Sequence, residues 1–321
     1  MLLIIHAAVL VLYAITSVEG YLPLRALQGA VTAFFSMAMQ MGVVESLPEK
    51  DRAQGVTLYT LSTMLPQLFG PLAALYMWDH AQFPIFGAVM VALGLLVWSC
   101  GLSVPLPSSA SKGIPLSFTD MVKSTSQLWT NPVLRVCSSV MLLASAVFAS
   151  VMIFLPLYLE TEGKGNAGLY FMIQTAVVVC CRFTFRKKIP SDGRWNTTLI
   201  AGLLLLCAVG SLFLAMLHIS NFVLFLSAIC NGIAIALLYP TLVTYLTFVL
   251  PTGSRHMLIG LFISAYDLGS SLGGLLMGAL ADRFSYSTLY EVCAILSIIA
   301  LVIVICNRNR MMTMEQAQNG R

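Results

Sequence analysis

One carboxylic acid, Asp267, lies near the middle of a long segment whose other residues are mostly apolar or small. In the hydrocarbon of a membrane an acidic side chain costs about 2.5 to 3.5 kcal/mol on insertion scales, so it is retained where it faces a cavity or a partner. A carboxyl group in such a position can take up and release protons. The alternative is an aspartate that a neighbouring helix satisfies and that performs no chemistry.

Four glycines follow Asp267 at helical spacing, a pattern that allows two helices to approach each other closely. Their spacing indicates packing rather than chemistry. They are Gly269, Gly273, Gly274 and Gly278.

A second group of polar residues recurs every three or four positions in an apolar segment near the N-terminus. At that spacing the residues share one helical face, and a polar face on a membrane helix points towards the protein interior. Amide groups need hydrogen-bond partners in hydrocarbon. Arg25, near the end of the segment, has the alternative of extending to the lipid headgroups. The group comprises Arg25, Gln28, Gly29, Thr32, Ser36 and Gln40.

Asp267 and the polar residues near the N-terminus stand in apolar segments, so the elements that position them are predicted to be membrane-spanning helices. Apolar residue types make up 59% of the chain and charged residues only 9%, a balance that a water-soluble fold does not carry. Apolar segments of about 20 residues, the length that crosses a bilayer as a helix, predict an all-α membrane protein. Ten spans are predicted, over residues 2–17, 22–44, 55–78, 83–102, 134–159, 167–185, 198–217, 222–249, 257–281 and 288–306.

The positive charges predict the orientation of these spans, because Lys and Arg concentrate in cytoplasmic loops. With a cytoplasmic N-terminus, all of the 17 Lys and Arg residues except Arg25, Lys164 and Arg283 fall at inner loops or inner helix ends. Both termini are therefore predicted to be cytoplasmic. The net charge of +4 reflects this topology and does not indicate a nucleic-acid partner.

The composition also predicts the domain organisation. Residues 103–133, rich in Ser, Pro and Thr, are typical of a cytoplasmic linker, and their amphipathic stretch 118–129 is either a surface helix or a partly ordered connector. The linker separates a remnant N-terminal bundle of four spans, residues 1–102, from a C-terminal six-helix bundle, residues 134–306. Residues 307–321 form a cytoplasmic tail.

Several classes of function are excluded by what the sequence lacks. The eight cysteines contain no C-x-x-C pair and the four histidines are scattered, so no metal site is predicted. No G-x-x-x-x-G-K-[ST] loop could hold nucleotide phosphates. No clustered nucleophile, metal triad or carboxylate pair indicates an enzyme, and no cofactor is expected. Transport would draw on an ion gradient or be passive.

Three motifs carry a resemblance to a known family. Arg25-Ala-Leu-Gln28-Gly29 resembles the R-x-x-Q-G motif in the fourth helix of major facilitator superfamily transporters. Gly70-Pro71 resembles the core of the fifth-helix antiporter motif, and Asp192-Gly193-Arg194 resembles the second-half loop motif. The order of four spans, a long loop and six spans matches the superfamily's helical bundle without its first two helices. The resemblance therefore implies that fold, truncated to ten transmembrane helices.

A narrower resemblance concerns residues 27–37, 189–193, 239–242 and 248–251, which are similar to the staphylopine-type exporter branch. This branch uses the proton-motive force to expel nicotianamine-like opine metallophores from bacteria. The resemblance implies a monomeric, multi-pass protein of the bacterial plasma membrane that exchanges protons for a small polar metallophore. A multidrug antiporter of the same fold, which favours apolar cations, is the nearest alternative, and a non-transporting receptor is another.

The resemblance also implies a cavity between the bundles near the bilayer midplane. A metallophore with carboxylates and amines requires cations, amides and phenols there. Asp267, with Arg25, is the implied proton-coupling pair, and the gating motifs comprise Gly29, Gly70, Pro71, Asp192, Gly193 and Arg194. For the amides the alternative is hydrogen bonding between helices, and for the tyrosines it is packing or a place at the membrane interface. The implied cavity residues are Arg25, Gln28 and Gln40 in the first bundle, and Tyr158, Gln174, Asn231, Tyr239 and Tyr245 in the second.

The two missing helices predict a late start codon or a truncated gene, and a fragment that transports poorly by itself. Sequencing of the genomic region upstream of Met1 is expected to reveal an in-frame extension that encodes two further helices. A stop codon directly upstream would instead indicate a truncated gene. Neighbouring genes for opine synthesis would support the implied substrate class.

Overall fold

The protein was analysed as a computed structural model, which describes residues 130–185, 195–218, 220–250 and 255–312 of the C-terminal part. In the N-terminal part it describes residues 23–32 and 87–100 and the scattered positions 8–9, 12, 20, 35, 62, 66, 69–70, 73, 76–77 and 85. The chain divides into two compact units, Met1–Ile114 and Pro115–Arg321.

The described residues of the N-terminal unit are helical in two continuous stretches. Residues 23–32 lie inside the predicted span 22–44, and the apolar helix Gly87–Cys100 lies inside the predicted span 83–102. The remainder of the four predicted N-terminal spans, the linker and the amphipathic stretch 118–129 lie outside the described residues. The total of ten spans therefore stays a prediction.

The C-terminal unit contains, among its described residues, six helices that are long and apolar enough to cross a membrane. The bounds of the second and fourth agree with the predicted spans, and the bounds of the others differ from them by at most three residues. We number them α1 (Pro132–Glu162), α2 (Ala167–Phe185), α3 (Thr197–Ala215), α4 (Phe222–Val249), α5 (Arg255–Arg283) and α6 (Tyr286–Cys306).

Short polar side chains fix where most of these helices begin. The Oδ1 atom of Asn131 accepts from the backbone N–H groups of the first turn of α1, and Asn196 does the same for α3. Asn166 caps α2 in this way and Ser285 caps α6. Each cap satisfies N–H groups that have no partner inside the helix, which is required near a membrane.

The end of α1 is equally well defined by its local sequence. Gly163 follows the helix with φ of 61°, the left-handed conformation that closes a helix and favours glycine. Its N–H group donates to the carbonyl of Glu160, and the next N–H group donates to the carbonyl of Leu159. The chain thereby reverses into α2 within four residues, 163–166.

Short connections make successive helices antiparallel, so α1, α3 and α5 finish at one end of the bundle, here called the turn end. Two hydrogen bonds join the connections at this end. The Nζ atom of Lys164 donates to the carbonyl of His218, at 3.0 Å, and the Oγ atom of Ser287 donates to the carbonyl of Ala215, at 2.8 Å. The helices α2, α4 and α6 finish at the opposite end, here called the loop end.

The helix contacts repeat with a period of three helices. The pairs α1–α5 and α4–α2 pack extensively, as do α3–α4 and α6–α1, while α3 packs on α6. Advancing every label by three converts the first four pairs into one another and the pair α3–α6 into itself. The C-terminal unit therefore consists of two three-helix repeats of opposite direction, the internal symmetry of many secondary transporters.

Among the described glycines, those with the least space around them lie in the contact between α1 and α5. A Cβ atom added at Gly269 would collide with the backbone carbonyl of Leu142 and the side chain of Ser145, and one added at Gly273 would collide with the carbonyl of Ala146. The predicted packing role of these two glycines is confirmed. The Oγ atom of Ser150 donates to the carbonyl of Ala146 on its own helix, at 2.6 Å, and lies 3.4 Å from the carbonyl of Gly273 on α5.

Replacing Gly273 by alanine is expected to destabilise the protein, because the new methyl group meets backbone atoms that can yield only if α1 and α5 separate. Overpacking of this kind costs about 1–3 kcal/mol. The measurement is the unfolding free energy in mixed micelles titrated with a denaturing detergent.

Gly260→Ala on the same helix is the matched control, because no described atom lies within 4 Å of its added Cβ. This variant should be as stable as the original protein or more stable, since alanine has the higher helix propensity. Equal stabilities of the two variants would contradict the close contact between α1 and α5.

Candidate functional site

The described part of the first polar stripe is a pair of side chains in the helical residues 23–32. The Nη1 atom of Arg25 donates to the Oε1 atom of Gln28, at 2.9 Å. Arg25 is exposed and Gln28 is partly buried. No described atom lies within 4 Å of a Cβ added at Gly29 or Gly70. The predicted site residues Gln40, Pro71, Asp192, Gly193 and Arg194 lie outside the described residues.

Asn231 on α4 belongs to a buried hydrogen-bond network that joins three helices. Its Nδ2 atom lies 3.2 Å from the hydroxyl oxygen of Tyr170 on α2 and 3.2 Å from the Oγ atom of Ser227 on α4. The two hydroxyl oxygens are 3.3 Å apart, and Ser227 also bonds the carbonyl of Gly210 on α3 at 2.8 Å. All three side chains are nearly inaccessible to solvent.

The acceptors in this network determine where its protons lie. The carbonyl of Gly210 can only accept, so Ser227 donates to it. Tyr170 then donates to Ser227, and the amide of Asn231 donates to both oxygens. Its Oδ1 atom is left without a hydrogen-bond partner among the described residues. The amide group of Asn231 therefore links helices, which is the alternative given for the amides in the sequence analysis.

Gln174 lies one turn after Tyr170 on the same helix, with 9% of its surface exposed. Its backbone carbonyl is 2.9 Å from the position of a Cβ added at Gly232 on α4. The structure thus brings the two predicted amides, Gln174 and Asn231, into one interface between α2 and α4.

Two of the predicted tyrosines lie at opposite ends of the bundle. Tyr158, near the turn end, packs its ring 5.7 Å from that of Tyr286 and 5.5 Å from that of Tyr290. Tyr245, near the loop end, packs edge-on against Trp195 with ring centroids 4.9 Å apart. Both tyrosines are buried. The structure does not bring these two residues together, and their rings take part in aromatic packing.

Tyr239 and Asp267, by contrast, are neighbours across the contact between α4 and α5. The ring of Tyr239 lies 5.8 Å from that of Phe262 and 5.7 Å from that of Tyr266. Asp267 directly follows Tyr266 on α5. An acid, two phenols and a phenyl ring therefore form one cluster at mid-helix.

Asp267 also belongs to a polar stripe along α5. Ser264, Asp267 and Ser271 are all exposed and are separated by three and four residues, which places them on one face of the helix. The two serine hydroxyl groups donate to backbone carbonyls one turn earlier. The carboxylate is the group on this face that needs water or a ligand.

Sequence reasoning assigned Arg182 to the inner helix ends and gave it no role in a site. In the structure Gln174 and Val177 of α2 pack against Gly232 of α4. Arg182 and Tyr239 follow about two turns later on these parallel helices, so they lie at the same level of the bundle. The signal available in the sequence was an arginine that stands two turns after Gln174 in a segment predicted to span the membrane. Within the described residues, no group of three His, Cys, Asp or Glu side chains is placed to hold a metal ion.

Comparison with protein families identifies relatives of the whole chain. A sequence profile described as Major Facilitator Superfamily matches residues 1–215 and 191–318. The staphylopine export protein of Staphylococcus aureus (strain Mu50) is 39% identical over 306 residues, which cover 94% of this chain and 77% of that protein.

Solved structures with the same fold are more distant in sequence. A POT family transporter in complex with a thioalcohol-conjugated peptide has a TM-score of 0.72 at 13% identity and covers 97% of this chain and 81% of its own. A human organic anion transporter has a TM-score of 0.65 at 18% identity, with 94% and 75% covered. The E. coli fucose:proton symporter has a TM-score of 0.60 at 16% identity, with 94% and 80% covered. At these identities the likeness concerns the fold alone.

Two buried tyrosines are expected to differ in their effect on stability, because Tyr170 belongs to the network around Asn231 and Tyr290 does not. Tyr170→Phe removes a hydroxyl group that both donates and accepts, so the unfolding free energy should fall by about 0.6 kcal/mol, the mean for such bonds between membrane helices, and by at most about 1.7 kcal/mol. Tyr290→Phe should leave stability unchanged or raise it, because its buried hydroxyl has no hydrogen-bond partner among the described residues. Unfolding titrations of the two purified variants measure the difference, and a loss at Tyr290 equal to that at Tyr170 would contradict it.

Proposed function

Since the chain belongs to the major facilitator superfamily, we propose that it exports an opine-type metallophore similar to staphylopine from the bacterial cytoplasm and uses the proton gradient to do so. The family membership makes the chain a multi-pass membrane transport protein and not an enzyme. The proposal adds the substrate class, the direction, the proton coupling, a monomeric state and cytoplasmic termini.

The observation that carries the proposal is the 39% identity to the staphylopine export protein, sustained over 94% of this chain. Because the match covers so much of the chain, most of the C-terminal unit has a counterpart in that exporter. A metallophore of this kind presents carboxylates and amines, which require polar partners in the hydrocarbon region. The C-terminal unit places such groups at Gln174, Asn231, Tyr239 and Asp267.

Proton coupling is proposed for Asp267 because of its place in the structure. An antiporter needs an acid whose protonation differs between its states. Asp267 lies exposed at mid-helix on the stripe with Ser264 and Ser271, and an acid at membrane depth that is not packed between helices requires water, a proton or a ligand. Arg25, which donates to Gln28, is proposed as its counterpart in the N-terminal unit.

One observation favours a second candidate, a proton-coupled multidrug antiporter. The rings of Tyr239, Phe262 and Tyr266 pack together, and Asp267 directly follows Tyr266 on α5. Aromatic faces next to a carboxylate attract lipophilic cations through cation–π interactions worth about 0.5–2 kcal/mol. Such a site would accept dyes that carry no carboxylate.

Transport by the purified chain in proteoliposomes separates the two candidates. With an imposed proton gradient, labelled staphylopine should accumulate above the level in vesicles without protein, and a lipophilic cation dye should not. In cells, deletion of the gene should raise the intracellular metallophore and lower its level in the medium. Accumulation of the dye without staphylopine would favour the multidrug antiporter.

Asp267→Asn is expected to reduce gradient-driven transport at least tenfold, because the amide cannot carry a proton. Exchange of labelled for unlabelled substrate at equal pH should continue, since that process needs no net proton movement. Asp282→Asn, an exposed acid near the end of the same helix, is the matched control and should transport normally. Gradient-driven transport that is undiminished in the Asp267 variant would show that the carboxylate is structural.

A further inference from the structure

One side of α6 is exposed through most of the length of the helix, and every large apolar residue exposed there is β-branched. The exposed positions are separated by three or four residues, so they form one continuous stripe. The apolar side chains of the stripe expose between 44% and 54% of their surface, so no described part of the chain covers them. We call this stripe the α6 outer face; it comprises Glu291, Ile295, Ile298, Ile299, Val302 and Ile305.

The opposite side of α6 packs extensively on α1 and α3. Cys293, Ser297 and Ala300 are completely buried on that side. The Oγ atom of Ser297 lies 3.3 Å from the Sγ atom of Cys207 on α3, and this contact fixes the rotation of α6 about its axis. The outer face therefore points away from the described helices of the C-terminal unit, and in a membrane it contacts lipid.

Glu291 is the only charged residue of α6, and it stands within the membrane. The 21 residues of the helix extend over about 31 Å, which matches the roughly 30 Å of the hydrocarbon core. Glu291 comes five residues after Tyr286, so its Cα atom lies about 7 Å inside the turn end. Side chains on a helix lean towards its N-terminus, so the carboxylate points to the boundary between hydrocarbon and headgroups.

The protein supplies no cation to this carboxylate in the part of the chain that the structure describes. Glu291 forms no ion pair there. The adjacent helix α3 contains no basic residue, and Arg135, the basic residue of α1, stands near the loop end. At the turn end, the Nζ atom of Lys164 donates to the carbonyl of His218. A charged group on a lipid-facing surface is costly unless a partner from outside the protein neutralises it.

We propose that the α6 outer face binds a phospholipid whose headgroup carries an ammonium group, such as phosphatidylethanolamine. The ammonium group pairs with Glu291, and an acyl chain lies along Ile295, Ile298 and Val302. Because β-branched side chains are restricted at χ1, this surface keeps one shape and loses little entropy when a chain packs on it. The site is separate from the proposed transport residues and does not depend on what the protein transports.

Charge and apolar surface together select this occupant over two others. A soluble cation would pair with Glu291 but would leave the apolar stripe without a partner. A second copy of the chain, related by an axis along the membrane normal, would bring two Glu291 carboxylates to the same level, where like charges repel. A lipid with an ammonium group satisfies both the acid and the stripe.

Native mass spectrometry of the delipidated full chain in detergent tests the site. The protein is offered equal amounts of phosphatidylethanolamine, phosphatidylcholine and phosphatidylglycerol with identical acyl chains. The first lipid to bind should be phosphatidylethanolamine rather than phosphatidylglycerol by about threefold, the factor that an exposed ion pair supplies. Phosphatidylcholine, whose cation has no N–H donor, should fall between the two.

Glu291→Gln should bind the three lipids equally, because the amide has no charge to pair with the ammonium group. Glu160→Gln is the matched control, since Glu160 is also an exposed acid near the turn end but lies on α1. This variant should keep the preference of the original protein. A phosphatidylethanolamine with a photoreactive group in its acyl chain should label residues 291–305 in the original protein and should label them less in Glu291→Gln.

Three results would overturn the proposal. They are equal binding of the three lipids by the original protein, a preference that persists in Glu291→Gln, and labelling confined to other helices. A dimer that crosslinks through α6 and excludes the photoreactive lipid would assign the face to a second copy and would overturn it as well. None of these results bears on the proposed export function, which is measured by transport.

Discussion

A hydrocarbon solvent offers no hydrogen bonds, and this constraint governs the C-terminal unit. Backbone groups must be satisfied within each segment, so the segments that cross it are helices. At the beginning of a helix the backbone N–H groups have no partner inside the helix, and side chains such as Asn131 and Ser285 accept their hydrogen bonds. Side-chain polar groups are subject to the same rule, which is why Asn231, Tyr170 and Ser227 bond one another across helix boundaries. Polar side chains that do not bond one another in this way are the candidates for ligand binding or proton transfer.

The internal symmetry of the unit adds a second constraint. Because α1 and α4 occupy equivalent places in the two repeats, features of one have a counterpart in the other. Each contains an internal proline, Pro156 in α1 and Pro240 in α4, and each of these residues removes one backbone hydrogen bond from its helix. Pro240 directly follows Tyr239, so the missing bond in α4 lies beside the cluster of Tyr239, Tyr266 and Asp267.

Hydropathy predicted the C-terminal helices closely, including the bounds of α2 and α4, because the length of an apolar run reports directly on a membrane span. The packing role of Gly269 and Gly273 was also predicted, since a small-residue repeat is a local signal that depends on residue type and spacing alone.

The rotation of each helix about its axis was not predictable in the same way. Helices such as α3 and α4 are apolar nearly all round, so the sequence does not indicate which side faces a neighbour. For this reason Tyr158 and Tyr245 resembled cavity residues, whereas the structure packs them against other aromatic rings at opposite ends of the bundle. Arg182 was missed because a positive charge near a helix end is normally a mark of topology.

The glycine contact between α1 and α5 constrains how the unit can move. At Gly269 and Gly273 the two backbones touch, so no side chain lies between them that could change its rotamer and let one helix slide past the other. The two helices therefore behave as a single rigid body. Asp267 stands only two residues before Gly269, so its carboxylate travels with α1 as well as with α5. Its separation from Tyr239 and Arg182, which belong to other helices, changes whenever that body turns.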